Sequence, residues 1–393
     1  MTFISERENA LKAAEFNGIE WIPCYIGIHP RAWEKYKEDL ENLILKHPSP
    51  HIIGLFEDKN RRQGKLVHYA MTNWVRKSFA EYRKGSQKFY EPPIYDDPVY
   101  NVGKYTDNWG TIWFNAFQGH EGHPAPPWPL ADWKHIASYK PPDPIVMSER
   151  LPRASWSELH AEVEDDKKRG QLAIGNAYPD NRFFERLHFL RGFSNLMVDF
   201  FTDPPELRTL IELIISHNLR LIEKWLELDV DVITFGDDLG TQTGPMISPK
   251  MFCKYLKPGY LRMFKPVRNA GVHVLFHSDG YILPLVDDLV ECGVSILNLQ
   301  ANVNGIENIR KVCKGKVCLE LVLDTQKVIP FGTPSTVEAH IKEAVLKLGS
   351  KEGGLWLRGY CDFDTPLANI EAMIKAMEKY QTYYNLERSA SEF

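Results

Sequence analysis

The sequence predicts an α/β fold, a closed (β/α)8 TIM barrel, and three observations predict it. Eight short apolar segments, at 21–27, 51–57, 171–178, 230–235, 272–276, 295–300, 317–323 and 354–358, read as strands buried on both faces. Helical patterns separate nearly all of them, the alternation of parallel α/β architecture. No glycine-rich dinucleotide fingerprint follows the first segment, which argues against the doubly wound alternative.

In chain order, the first segment carries Tyr25 and is followed by His29 and Arg31, which could face the barrel mouth or open the next helix. Between the second and third strands lies the interval 58–170, too long for a bare connection. Its aromatics (Trp109, Trp113, Trp128, Trp133) and prolines predict an insertion lying over the mouth, within a single barrel domain spanning 1–393. Trp109 and Trp113 are candidate walls of an apolar substrate pocket, or packing within the insertion. The third segment ends at Tyr178, a further substrate-binding candidate.

The clearest helix covers 204–228, with apolar residues near 3.6-residue spacing. Ser248-Pro249, Thr333-Pro334 and Thr365-Pro366 each combine a capping side chain with a proline suited to a first turn, so each predicts a helix start.

Chemistry concentrates where the strands end, and the carboxyl ends of barrel strands are where active sites are built. Gly236-Asp237-Asp238-Leu239-Gly240 ends the fourth segment and His277-Ser278-Asp279-Gly280 the fifth. Neighbouring side chains on an extended segment point oppositely, so one of Asp237 and Asp238 faces the axis, as base, ligand or substrate-holding carboxylate. Alternatively, the acids cap a helix or pair with Arg358.

His277 and Asp279, two apart, share a side and can converge on one ion. With Cys361 they make a three-ligand zinc set with an open position. The other reading has His277 bonded to a neighbouring strand and Asp279 capping a helix. Asp324 ends the seventh segment and Arg358 lies in the eighth, where it clamps an anionic substrate group or balances Asp324 or Asp238. Gln242 and Gln300 complete the substrate-binding candidates.

Bulk properties restrict the function. With 47 basic and 52 acidic residues the chain has a net charge of −5, no electrostatic footprint for nucleic acid or an anionic membrane. Six scattered cysteines without a Cys-x-x-Cys pair predict a reduced compartment. No uncharged apolar run is long enough to span a bilayer, and the N-terminus lacks a signal-peptide core. The sequence therefore predicts a cytoplasmic enzyme with no nucleic-acid or membrane partner. A homodimer is compatible with this fold.

Motifs throughout the chain resemble the uroporphyrinogen decarboxylase-like superfamily, especially its corrinoid-dependent methyltransferase branch. They run in one order: Thr106-Asp107-Asn108-Trp109-Gly110-Thr111-Ile112-Trp113, Phe184-Glu185-Arg186-Leu187-His188-Phe189-Leu190-Arg191-Gly192-Phe193, the Asp237 and His277 motifs, Asp324-Thr325-Gln326, and Thr365-Pro366-Leu367-Ala368-Asn369-Ile370. The resemblance implies a barrel that moves a methyl group from a small donor, an aryl ether or methylamine-like compound, to a corrinoid. Nothing in the chain resembles a cobalamin-binding domain, so the corrinoid would arrive on a partner protein.

That branch typically binds zinc through His-x-Cys at the fifth strand and a cysteine near the eighth. Here Asp279 stands at the first cysteine's place, and Cys361 lies near the second's. The family's porphyrin decarboxylases carry an arginine-rich segment after the first strand, where this chain has only Arg31. The alternative is a metal-free decarboxylase, with Asp237 or Asp238 stabilising a protonated intermediate and Arg31 and Arg358 holding carboxylates. A barrel that only carries a corrinoid or tetrapyrrole is the third reading.

Overall fold

The computed structural model describes residues 4–47, 101–117, 122–146, 155–176 and 181–383. Among these residues the strands are β1 (Cys24–Ile28), β2 (Gly103–Thr106), β3 (Ile112–Asn115), β4 (His123–Ala125), β5 (Ile174–Asn176), β6 (Val232–Gly236), β7 (His273–His277), β8 (Ile296–Gln300), β9 (Cys318–Val322) and β10 (Leu355–Cys361). Seven of them form one curled parallel sheet in the order β1-β10-β9-β8-β7-β6-β5. The last strand thus pairs with the first, the joint that closes a barrel. The segment 51–57 lies outside the described residues.

These strands are buried on both faces. Their outward side chains meet a ring of helices, and their inward ones face the barrel interior. The helix Pro205–Leu226 buries Leu207, Leu210, Ile214, Ile215, Leu221, Ile222 and Trp225, the stripe its 3.6-residue spacing predicts. Each large apolar side chain so buried contributes roughly 1.5–3 kcal/mol.

Two of the three predicted helix starts form as expected. The Ser248 hydroxyl accepts the Met251 N–H, and that of Thr333 accepts the Thr336 N–H. Thr365 departs from the expectation: its hydroxyl accepts the Asp362 N–H (3.2 Å), and the last helix begins only at Leu367. The turn after β10 takes that hydroxyl before the helix can.

The described part of the insertion contains an antiparallel sheet, β2-β3-β4. Asp107 organises its first turn. One carboxylate oxygen accepts the Trp109 and Thr111 N–H groups, and the other accepts the Trp113 indole N–H (3.0 Å). This unit clamps the helix Phe184–Arg191. The Arg186 guanidinium lies 4.4 Å from the Trp109 ring centre and forms an ion pair with Asp107 (3.4 Å). Trp109 also meets the His217 ring, and Trp113 packs edge-on against Phe189.

Candidate active site

The β6 and β7 ends are joined by a backbone crossing. Gly280 has φ +83°, and a Cβ there would lie 2.2 Å from the Gly240 carbonyl carbon. Neither position tolerates a side chain at this approach, so both loops require glycine there. The Tyr281 N–H donates to the Thr241 carbonyl (2.7 Å), the Leu239 N–H to the Ser278 hydroxyl (3.0 Å), and the Asp279 N–H to Asp238 Oδ1 (3.0 Å). These bonds hold Asp238 against the loop that carries His277 and Asp279.

Three potential metal ligands therefore converge. The donor atoms of Asp238, His277 and Asp279 all lie within 4.8 Å of one another. His277 Nε2 is 3.8 Å from Asp238 Oδ1 and 3.6 Å from Asp279 Oδ1. Tetrahedral zinc with bonds of about 2.0–2.2 Å sets its ligands about 3.3–3.6 Å apart, so the group needs little adjustment to hold a divalent ion. Asp279 is half exposed, yet its carboxyl pKa is raised, first by burial at the mouth and also by Asp238; His277 and Arg358 oppose the shift.

Strand register extends the site downward. His277, Asn298 and Glu320 are lateral partners on β7, β8 and β9, so their side chains fall in one row. Asn298 Oδ1 lies 2.7 Å from His277 Nδ1, and the Asn298 amide N–H donates to Glu320 Oε2. With its amide so oriented, Asn298 accepts the Nδ1 proton and leaves Nε2 toward the two carboxylates, an outer partner that fixes tautomer and ring. Glu320 is in turn 3.5 Å from Arg358, whose guanidinium lies over the Tyr25 ring. Burial raises the Glu320 pKa, and Arg358 opposes that.

A cavity of about 360 Å³ opens beside this row. Tyr25, His277, Asp279, Gln300 and Arg358, all sequence candidates, line it. Asn298, Glu320, Trp356 and Tyr360 line it as well and were not anticipated. A lone Glu in Cys-Leu-Glu-Leu-Val, with an arginine on the next strand, was the available signal for Glu320.

Several candidates fall elsewhere. Cys361 is fully buried, does not belong to the metal group, and burial raises its thiol pKa. The reason is parity. β10 runs straight through to Cys361, so Trp356, Arg358 and Tyr360 face the cavity while Gly359 and Cys361 face the helices, a Cβ on Gly359 meeting Met373. Asp238, rather than Cys361, is the third group that lies beside His277 and Asp279.

Asp237 points away from the cavity. Its carboxylate accepts the Phe183 and Glu185 N–H groups at the start of the helix Phe184–Arg191, and the Tyr260 hydroxyl (2.7 Å). Burial pushes its pKa up to about 6 against those hydrogen bonds. Asp324 accepts the Gln326 and Lys327 N–H groups within its own turn, so Glu320 rather than Asp324 or Asp238 is the carboxylate paired with Arg358.

His29 caps the helix Pro30–Lys46 and lies 3.4 Å from Asp362, and Gln242 is exposed in its loop. Trp109 and Trp113 are buried in the clamp on Phe184–Arg191 and do not border the cavity. Tyr178 lies outside the described residues.

No helix among the described residues is long and apolar enough to cross a membrane. No curated protein matches the chain in sequence. A methyltransferase from Methanosarcina mazei shares the fold, with TM-score 0.59 and 14% identity over 96% of this chain and 99% of that one. More distant are a B12-independent methionine synthase from Shewanella sp. W3-18-1 (TM-score 0.32, 12% identity, 47% and 57% covered) and the zinc-binding IOLI protein (0.33, 14%, 58% and 80%). Residues 187–380, which hold β6 to β10 and the whole metal group, match the uroporphyrinogen decarboxylase (URO-D) family. Residues 187–380 are thus similar to the uroporphyrinogen decarboxylase family, within a fold of the (β/α)8-barrel type.

Proposed function

We propose that this protein is a methyltransferase that moves a methyl group from a small methylated compound to a corrinoid carried by a separate protein. The observation that carries this reading is the group Asp238, His277 and Asp279 at the rim of a largely apolar cavity. The fold shared with the Methanosarcina methyltransferase supports the class.

Zinc held by those three residues would supply Lewis acidity to the heteroatom bearing the methyl group. Asn298 keeps the His277 ring fixed, and Arg358 neutralises Glu320 so that the row stays charge-balanced. The apolar walls, including Ile174, Leu275 and Val322, orient the donor with its methyl group outward. The interval 58–170 would cover the mouth. Its grip on Phe184–Arg191, a helix whose start is held by Asp237 at the β6 end, supports that placement.

The decarboxylase reading has less support, because both of its proposed carboxylate-binding arginines are engaged: Arg358 with Glu320 and Arg31 with Asp362. The test is methyl transfer from aryl methyl ethers and methylamines to a reduced corrinoid protein, followed by visible absorbance. Transfer by the zinc-loaded protein, abolished in His277→Ala, is the expected outcome. Full transfer in a zinc-free His277→Ala variant would sink the mechanism.

A further inference from the structure

Which imidazole nitrogen of His277 is open to a metal depends on a group two strands away. Nδ1 lies 2.7 Å from Asn298 Oδ1, while Nε2 faces Asp238 at 3.8 Å and Asp279 at 3.6 Å. A neutral imidazole carries one proton, and a metal binds only the nitrogen without it. Zinc between the two carboxylates therefore requires the tautomer with its proton on Nδ1.

Asn298 alone does not select that tautomer. Its amide offers an acceptor on one side and a donor on the other, so turning it over would present N–H to Nδ1. The His277 proton would then belong on Nε2, where Asp238 and Asp279 attract it. Glu320 removes the choice. Asn298 is buried, and its side chain has two partners among the described residues, His277 and Glu320. An ionised carboxylate only accepts, so the side of the amide facing Glu320 is N–H and the side facing His277 is C=O. Burial raises the Glu320 pKa, but Oε2, the oxygen that accepts the amide, is also the one 3.5 Å from Arg358. A proton on that oxygen would sit against a permanent cation.

We propose that Glu320 is a positioning residue that sets the tautomer of His277. By holding the Asn298 amide in one orientation, it keeps the proton on Nδ1 and turns the Nε2 lone pair toward Asp238 and Asp279. This rests on reading those two carboxylates and His277 as a metal group.

The test reads the tautomer in zinc-free, full-length protein by proton–nitrogen correlation NMR on isotope-labelled histidine. The buffer is alkaline enough to leave the ring neutral, and His277→Ala assigns the signals. The wild type should carry the proton on Nδ1. Glu320→Met, which fills the space without accepting, should move it largely to Nε2. It should also weaken zinc roughly tenfold in a chelator competition, about the worth of one hydrogen bond. Glu320→Gln should restore both properties, because Arg358 holds its amide oxygen where Oε2 stood.

A proton on Nε2 in the wild type overturns the proposal without any variant, so misfolding of Glu320→Met leaves it testable. A Glu320→Met protein that keeps the proton on Nδ1 also overturns it, even if zinc weakens, since Arg358 turning toward Asp279 would account for that loss. So does a Glu320→Gln protein that behaves like Glu320→Met. Because the tautomer is read without metal, failure here and failure of zinc binding or methyl transfer are separate results. Wild-type protein with its proton on Nδ1 that takes up no zinc removes the metal group and leaves the role of Glu320 standing.

Discussion

In the loops 236–240 and 277–280, carboxylate and imidazole groups turn toward a cavity, and the backbone around them supplies the hydrogen bonds that hold them there. In the segment 106–113 the prominent side chains are committed to packing: Asp107 to its own turn and to Arg186, Trp109 to Arg186 and His217, and Trp113 to Phe189. Both regions read from sequence as ligand-binding features. Polar groups pinned at the ends of parallel strands mark a site, whereas aromatic groups in an insertion first serve its attachment.

Trp109→Ala should sharpen that contrast most. Losing a buried indole costs about 3–5 kcal/mol, read as a lower urea midpoint, while zinc affinity of the folded protein stays unchanged. A parallel loss of zinc affinity would break the comparison. Asn298→Ala should do the reverse, lowering zinc affinity 10–100-fold in a chelator competition because His277 loses its orienting partner. An effect below twofold would show that the ring is held by other means.

Acidity probes the same loops. A carboxylate ligand must shed its proton, and the Asp279 pKa is raised. The Asp279 contribution to zinc affinity should therefore be lost as pH drops through that raised value, a step beginning above the ordinary aspartate range near about 3.9. Asp279→Asn should bind zinc more weakly and lose that step. The smallest effect belongs to Cys361→Ala, which should leave zinc affinity within twofold because the thiol faces the helices. A tenfold loss would restore it as a ligand.

Much of this was legible in the sequence because buried parallel strands leave continuous apolar runs and end at polar motifs. Strand alternation led to pairing His277 with Asp279 and to separating Asp237 from Asp238, but Asp237, Asp238 and Asp279 lie past the ends of β6 and β7, in loops held together by the Gly240–Gly280 crossing. Cys361 was misjudged because its direction depends on where β10 ends, and three further residues of strand reverse the parity. Asn298 and Glu320 were missed for a related reason. Each is one polar residue inside an apolar run, and only lateral register reveals that they stand in line with His277.

The most direct test of the central claim, that Asp238, His277 and Asp279 form one metal site, is zinc stoichiometry with affinity at neutral pH. One tightly held zinc per chain is expected in the wild type, lost in His277→Ala and strongly weakened in Asp238→Ala, with Asp237→Asn retaining it. Zinc-free wild-type protein that takes up no zinc on titration, or full binding in Asp238→Ala, would contradict it.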